Sequence, residues 1–403
     1  MAKTLVINRY ENTRVPFLRG ILIRSLQDAG LDFEDAYAVA SRVRDHISDS
    51  TEITTDKLRG IVFSDLEGHH DGDTVRRYRS PPIALETILV RDGKQLTPFS
   101  RGQHRQSIES SGIGGAEAAL VTDKIYESLL KHGIRELGTS QLEKLTYQSL
   151  KDDYGKHNAH RYIVWNEFLR SGRPLLLLIG GTIGSGKSTI ATDISHRLDI
   201  VRTQSTDMLR EVMRMLIPET LLPVLHTSSF KAWKKLPFVD DETPRDLLIT
   251  EGYQSQAELL AGPCEAVLNR ALGERVSMIL EGVHVRPTLL ERIPKDTDAI
   301  VISVMLAVLK PKELRRRLEG RGAHAVQRRA ERYLKHFDAI WQLQSFLLSE
   351  ADQHEIPIIP NDKKKDASQQ LMAIISEELS RQFPGKLSKA FDGVDLAPER
   401  SAG

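Results

Sequence analysis

One stretch of this 403-residue chain, residues 174–190, constrains its fold more than any other. It begins with an unbroken apolar run, residues 175–179, which is typical of a strand buried on both faces of a parallel sheet. Gly181-x-x-x-x-Gly186-Lys187-Ser188 follows, and this is the complete pattern of a phosphate-binding loop. A buried strand, a glycine-rich loop and a helix in this order predict that the chain binds a nucleoside triphosphate.

The residue types of this loop suit a phosphate group. Its glycines let backbone N–H groups approach phosphate oxygens, and a helix beginning near Lys187 adds the positive end of its dipole. Lys187 is predicted to reach the β- and γ-phosphates, and Ser188 to ligate Mg²⁺. The alternative is a glycine-rich turn without a ligand. The predicted nucleotide-binding residues are Gly181, Thr182, Gly184, Ser185, Gly186, Lys187, Ser188 and Thr189.

Length and composition describe an ordinary globular protein of two or three domains, with 40% hydrophobic and 28% charged residues. A net charge of +1 gives no global electrostatic reason to expect nucleic acid or an anionic membrane as a partner. Cys264 is the only cysteine, which excludes an internal disulfide and suits a reducing cytosol. We find no signal-peptide pattern and no apolar run long enough to span a bilayer, so a cytoplasmic location is expected.

The first 150 or so residues contain an internal repeat. Residues 15–20 (Val-Pro-Phe-Leu-Arg-Gly) match residues 97–102 (Thr-Pro-Phe-Ser-Arg-Gly), and similar strand-like and helix-like segments surround both. Self-similarity of this kind marks a duplicated unit. Each copy is predicted to be a short strand pair followed by about three amphipathic helices, with a polar linker between the copies.

The repeated pattern resembles the ATP-cone, a small nucleotide-binding regulatory module. The resemblance implies that arginines of both copies lie near a regulatory triphosphate, whose oxygens a guanidinium group pairs with well. The alternative is that these arginines are solvated on a module that has kept its fold without the ligand. The second copy departs further from the pattern, with Gln103 and His104 after its glycine. The arginines concerned are Arg9, Arg14, Arg19, Arg91 and Arg101.

Beyond a predicted connector helix at residues 159–173, strands and helices alternate, which is the pattern of a doubly wound α/β sheet. After the loop helix, four more strands are predicted at residues 200–204, 276–280, 299–305 and 356–359.

Polar residues follow two of these strands at the edge where ligands bind in open parallel sheets. Asp207 is placed to accept a proton from a substrate hydroxyl or to hold Mg²⁺ through water, and its alternative role is a plain helix N-cap. Arg210, one turn on, is placed to grip an anionic substrate. Glu281 matches the second Walker position and would order the Mg²⁺ shell or the substrate. His284 is predicted to lie near the substrate, although such a histidine is often only structural.

A basic run between residues 310 and 335 surrounds Gly320-Arg-Gly322, where small-molecule kinases carry a mobile lid. A closing lid excludes water and brings cations to the transferring phosphoryl group. The alternatives are a solvated helix face and nucleic-acid binding, and poor aromatic interleaving disfavours the latter. The lid candidates are Arg321, Arg328, Arg329 and Arg332, with Arg317 as a further possibility.

Residues 179–189, 205–212, 225–233, 279–284 and 329–334 together closely resemble the 2-phosphoglycerate kinase family. This resemblance spans nearly the whole chain. It implies a P-loop kinase joined to an ATP-cone, which makes 2,3-bisphosphoglycerate from ATP and 2-phosphoglycerate. The acceptor would then be bound by Arg210, Ser228, Ser229, Glu281, His284, Arg329 and Arg332, with His226 and Lys231 as further cations. The alternative for residues 226–233 is an ordinary helix–helix connector.

We therefore predict an α/β P-loop kinase domain with a doubly wound parallel sheet at residues 159–385. Two small α+β ATP-cone-like units precede it, at 1–86 with a linker and at 87–158, and a flexible tail follows at 386–403. Catalysis is assigned to Lys187, Asp207, Arg321 and Arg328, and the metal to Ser188, Asp207 and Glu281. ATP and Mg²⁺ are the expected cofactors. The alternatives are a kinase of another phosphorylated hydroxy compound, such as a cyclitol phosphate, and a non-catalytic nucleotide sensor.

Overall fold

The computed structural model describes residues 4–8, 13–48, 50–70, 74–75, 78, 88–237, 242–320 and 328–385. Of residues 8, 13, 28, 328 and 329 it describes only the backbone. The chain divides into two compact units, Met1–Leu89 and Val90–Gly403. The finer division predicted from the sequence stays a prediction, and its tail at 386–403 lies outside the described residues.

The first unit contains the first copy of the repeat. Its elements are β1 (Leu5–Asn8), β2 (Thr13–Pro16), α1 (Arg19–Asp28), α2 (Phe33–His46), β3 (Glu52–Thr54) and α3 (Thr55–His69). β1 pairs antiparallel with β2 and parallel with β3. The side chain of Asp32 caps α2 by accepting from the Asp35 N–H, and Thr54 caps α3 in the same way. The helices pack through fully buried Leu26, Val39 and Leu66.

The second copy repeats this order of elements. It consists of β4 (Leu89–Asp92), β5 (Gln95–Pro98), α4 (Arg101–Ser110), α5 (Gly115–Lys131), β6 (Glu136–Gly138) and the start of α6 (Thr139–Ser171). Its sheet order, β5-β4-β6, corresponds to β2-β1-β3 of the first copy. The third strand of each copy follows the second helix and was not predicted. The predicted connector helix is the C-terminal half of α6, which is interrupted at Gly155 (φ 87°, ψ 164°).

A five-stranded sheet lies at the centre of the second unit. Its strands are β7 (Leu175–Gly180), β8 (Arg202–Ser205), β9 (Met278–Glu281), β10 (Ile300–Ala307) and β11 (Ile358–Pro360). They are ordered β11-β10-β7-β9-β8, and neighbouring strands pair in parallel. The structure confirms all five predicted strands, although the last four begin one or two residues later than expected. The parallel α/β sheet predicted for this part of the chain is therefore correct.

Helices cover both faces of this sheet. They are α7 (Lys187–Arg197), α8 (Thr206–Leu216), α9 (Arg245–Gly273), α10 (Pro311–Gly320), α11 (Arg328–Leu334), α12 (Phe337–Gln353) and α13 (Lys364–Gln382). Leu175, Leu177 and Ile179 of β7 pack on the side of α6, α7 and α13, whereas Leu176 and Leu178 pack on the side of α9. This alternation gives β7 its unbroken apolar sequence. Among the described residues, no helix combines the length and apolar character that crossing a membrane requires.

Candidate active site

The phosphate-binding loop joins β7 to α7, and its glycines have conformations that other residues rarely adopt. Gly181 and Gly186 have φ angles of 137° and 89°. A Cβ atom on Gly181 would lie 2.4 Å from the carbonyl oxygen of Leu306, and one on Gly186 would lie 2.4 Å from Nδ2 of Asn361. The loop therefore keeps its path only with glycine at these positions. Since α7 begins at Lys187, the N–H groups of its first turn point toward the loop.

Three side chains of the predicted site meet at this loop. Lys187 Nζ donates a hydrogen bond to the carbonyl oxygen of Thr182 at 2.9 Å, and Ser188 Oγ donates to Glu281 Oε1 at 2.8 Å. Glu281 is the last residue of β9, opposite Ile179 of β7 and Ser205 of β8. The structure thus brings Lys187, Ser188 and Glu281 to one edge of the sheet.

The residues at this edge fit a nucleotide with Mg²⁺. Ser185 Oγ is buried and has no hydrogen-bond partner among the described residues, as expected for a donor that a phosphate oxygen would satisfy. The Ser188 hydroxyl and the Glu281 carboxylate are hard oxygen ligands, and Mg²⁺ typically uses one or two of these together with phosphate oxygens and water. No cluster of three His, Cys, Asp or Glu residues suited to a metal occurs in the described part of the chain.

Asp207 occupies the first turn of α8, and it does not cap this helix. The N-cap is Ser205, whose Oγ accepts from the Asp207 N–H at 3.2 Å. The Asp207 side chain is 63% exposed, and its Oδ1 lies 3.6 Å from Arg210 Nη2. The alternative that Asp207 is the helix N-cap is therefore wrong, and its carboxylate faces solvent beside Arg210.

His284 lies behind these residues in a buried hydrogen-bond network. Its Nδ1 is 3.2 Å from Thr206 Oγ1 and its Nε2 is 3.0 Å from Gln256 Oε1. Gln256 Nε2 donates to the carbonyl oxygens of Val224 and Thr227, at 2.5 Å and 3.1 Å. Because two carbonyls fix the amide of Gln256, its oxygen accepts from His284 Nε2–H, and Nδ1 must accept from the Thr206 hydroxyl.

The pKa of His284 is lowered to about 3, chiefly by burial; the charge of Asp207 opposes this shift, and the charges of Arg210 and Lys187 add to it. The ring is therefore neutral near pH 7. Both ring nitrogens are engaged by the protein, so the geometry favours the structural alternative for His284 over direct contact with a substrate.

The network leads to residues 223–235, which form two short 3₁₀ segments, Pro223–His226 and Ser229–Lys235. Arg210 Nη1 donates to the Thr227 carbonyl at 3.1 Å, and Arg332 Nη2 donates to Ser228 Oγ at 3.0 Å. Ser229 is buried next to them. The imidazole of His226 instead contacts the Ile217 carbonyl at 2.8 Å. Arg210, Ser228, Ser229 and Arg332 are thus brought together.

Other predicted residues have different surroundings. Arg317 contacts Glu313 and the carbonyl oxygens of Asn361 and Asp362, so it anchors the chain after β11. Arg9 and Arg321 lie outside the described residues, as do the side chains of Arg328 and Arg329. The remaining ATP-cone-like candidates contact groups of their own repeat. They are Arg14 beside Glu52, Arg19 over Tyr37, Arg91 beside Glu136, and Arg101 beside Asp123.

Two residues at this site were missed in the sequence. Asn361 Nδ2 donates to the Ser185 carbonyl at 2.7 Å and so supports the phosphate loop from β11. It follows a predicted strand at the same edge of the sheet, which is the signal that identified Asp207 and Glu281. Gln256 lies in the middle of the long helix α9, where no pattern in the sequence distinguishes it.

Comparison with known proteins gives the chain's relatives. No family model matches it. A 2-phosphoglycerate kinase of Pyrococcus furiosus is 34% identical over 291 residues, which are 72% of this chain and 93% of that protein. One of Pyrococcus horikoshii is 33% identical over 312 residues, 77% of this chain and 99% of that protein. One of Methanopyrus kandleri is 34% identical over 293 residues, 72% of this chain and 88% of that protein.

Proposed function

The chain belongs to the 2-phosphoglycerate kinase family, and we propose that it transfers the γ-phosphoryl group of ATP to the free hydroxyl of 2-phosphoglycerate. The products are ADP and 2,3-bisphosphoglycerate. The observation that carries this proposal is the contact between Ser188 of the phosphate loop and Glu281 of the neighbouring strand, with Lys187 beside them. This arrangement supports the binding of a nucleotide's terminal phosphates at the carboxyl edge of the sheet.

On the donor side, the loop and α7 bind the phosphates through backbone N–H groups, and Lys187 releases the Thr182 carbonyl to contact the β- and γ-phosphates. Ser188 and Glu281 would hold Mg²⁺, with Asp207 reaching it through water. When bound, the ion neutralises charge on the phosphoryl group. Lid arginines, for which Arg321, Arg328 and Arg329 are the candidates, would close over the nucleotide and exclude water.

On the acceptor side, Asp207 orients the hydroxyl and accepts its proton, because its exposed carboxylate lies beside Arg210 at the site's rim. Arg210, Ser228, Ser229 and Arg332 bind the acceptor's anionic groups, and their shared contacts around Thr227 and Ser228 support this role. His284 supports the site from behind in its neutral form. We keep the cytoplasm as the proposed location, since Cys264 forms no disulfide.

Replacing Lys187 tests the donor side. Lys187→Ala should lower kcat by about 100-fold to 1,000-fold while the protein stays folded, because one electrostatic contact to the transferring group is lost. Release of ADP in the presence of 2-phosphoglycerate measures the rate, and thermal unfolding checks the fold. Lys295→Ala, which changes an exposed lysine before β10, is the matched control. Undiminished phosphoryl transfer by Lys187→Ala would refute the assignment.

A panel of phosphorylated hydroxy compounds tests the acceptor. We expect 2-phosphoglycerate to stimulate ADP release more than any other member. A larger effect of another compound, such as a cyclitol phosphate, would assign a different acceptor to the same chemistry. No stimulation by any member would instead favour a protein that senses nucleotides without transferring phosphate.

A further inference from the structure

Five cationic side chains and one histidine lie close together around Ser228 and two aromatic rings. His336 lies 5.7 Å from the Phe230 ring and Lys231 Nζ lies 6.0 Å from it, measured to the ring centroids. Lys234 and Arg245 lie over the Trp233 ring, at 5.4 Å and 5.6 Å. We call this group the cationic cluster, and its members are Lys231, Lys234, Arg245, Arg332, Lys335 and His336.

The cluster has no ion-pair partners in the described part of the chain. Among the described residues, no member of the cluster forms an ion pair with a carboxylate, whereas Lys235, the next residue after Lys234, pairs with Glu219 at 2.9 Å. Arg286 and Arg292 of the second unit are also paired with acids, namely with Glu350 and Glu258. Cations held this close together without ion-pair partners indicate a site for an anion.

The members of the cluster act on one another. Burial lowers the pKa of Lys231, and the charges of Arg332, Lys234 and Lys335 lower it further. Burial likewise lowers the pKa of His336, followed by the charges of Lys231, Lys234, Lys335 and Arg245. Like charges this close destabilise the protein that holds them, and a bound anion would remove that repulsion.

The cluster is continuous with the acceptor side of the site. Arg332 donates to Ser228 Oγ at 3.0 Å, and the Lys231 N–H donates to the Ser228 carbonyl at 2.8 Å. The preceding residue, Thr227, accepts from Arg210, which lies beside Asp207. The cluster is therefore placed to bind the acceptor rather than the nucleotide.

We infer that the cationic cluster binds the phosphate group that the acceptor already carries, with Lys231 and Arg332 as its direct contacts and with Lys234, Arg245 and Lys335 adding positive potential. A phosphate monoester contributes about 1.5 to 2 negative charges near pH 7, which is the charge density that such a cluster matches. The inference rests on the proposed function, and it assigns Lys335 and His336 to the acceptor side, a role that the family resemblance does not give them.

The double substitution Lys231→Gln with Lys335→Gln tests this assignment. It should raise the KM for 2-phosphoglycerate by about tenfold to 100-fold, because charged contacts to the phosphate are lost, and leave the KM for ATP within about twofold. Lys235→Gln is the matched control, since it removes the same charge from a lysine that is already paired with Glu219. An unchanged KM for the acceptor would overturn the inference, and so would an effect on the KM for ATP alone.

Thermal unfolding supplies a readout that does not depend on turnover. Without ligand the double variant should unfold at the same temperature as the original protein or a higher one, since repulsion is relieved. At the same concentration, 2-phosphoglycerate should stabilise the original protein clearly more than the variant. If the original protein turns over 2-phosphoglycerate and the variant keeps the stabilisation, only the inference fails. If the original protein does not turn it over, the proposed function fails and the inference falls with it.

Discussion

The sequence predicts where His284 lies, but its role depends on the residues that surround it in the folded protein. Its position after a strand at the edge of the site could be predicted, but its complete burial and its two hydrogen bonds could not. The partner that fixes its tautomer, Gln256, belongs to a helix that begins more than thirty residues earlier in the chain. Such a pairing depends on tertiary packing, and no local pattern encodes it.

Replacing Gln256 by Glu tests whether this network positions the acceptor side. The new carboxylate loses the donor that holds the Val224 and Thr227 carbonyls, so the KM for the acceptor should rise by roughly tenfold. It also favours the protonated imidazole and raises the pKa of His284. The acceptor KM of the variant should therefore change with pH between about pH 5 and pH 8, where His284 of the original protein stays neutral. Steady-state kinetics across this range measures both effects.

The same variant should change how stability depends on pH. With a folded-state pKa of about 3 against 6.5 for a free histidine, His284 takes up a proton on unfolding anywhere between these values. Its contribution to stability is complete above pH 6.5 and is lost as the pH falls toward 3. Raising the folded-state pKa makes this loss smaller in Gln256→Glu. Gln254→Glu, two residues away on α9, is the control, and an identical pH profile of all three proteins would exclude the positioning role.

At the scale of helices and strands, the sequence predicts the large sheet well and the small sheets incompletely. Four of the five strands of the large sheet are predicted from short apolar runs. The fifth, β8, is predicted because residues 200–204 directly follow the helix after the phosphate loop. β3 and β6 have three residues each, too few for a periodic pattern. β3 forms because Leu5 pairs with Glu52 across the intervening helices, which is a long-range contact.

The packing of α9 against the segment Ser229–Lys235 gives a prediction at this scale. A Cβ atom on Gly252 would lie 2.1 Å from the backbone nitrogen of Trp233, so Gly252→Ala must push the helix and this segment apart. We expect a loss of stability of about 1–3 kcal/mol, which is typical of overpacking. Because Ser228 and Lys231 belong to the displaced region, the KM for the acceptor should rise while that for ATP stays the same. Thermal unfolding and steady-state kinetics measure the two effects.

Gly273→Ala on the same helix is the control, because nothing lies within 4 Å of a Cβ atom there. Alanine in a helix is favoured over glycine by up to about 1 kcal/mol, so this variant should be at least as stable as the original protein. Equal stability of the Gly252 and Gly273 variants would contradict the close contact between α9 and Trp233.

For the whole molecule, the predicted family is confirmed by relatives that match more than two thirds of the chain. How the second copy of the repeat is attached could not be predicted. Ser110 Oγ donates to the Arg197 carbonyl at the end of α7, and α6 runs from this copy to the base of β7. The sequence-based boundary at residue 158 falls within α6, where a helix pattern alone shows no domain edge.

We propose that the first unit binds a regulatory nucleotide, and its removal tests this role. Deleting residues 1–87 leaves the second unit with its own buried cores, so this protein should fold and keep its kcat at saturating ATP. The dependence of rate on ATP concentration should change, because a nucleotide site outside the catalytic one is lost. Deleting residues 1–150 instead cuts α6 and removes the Ser110 contact, so this protein should unfold at a lower temperature. An ATP dependence unaltered by the shorter deletion would exclude regulation through the first unit.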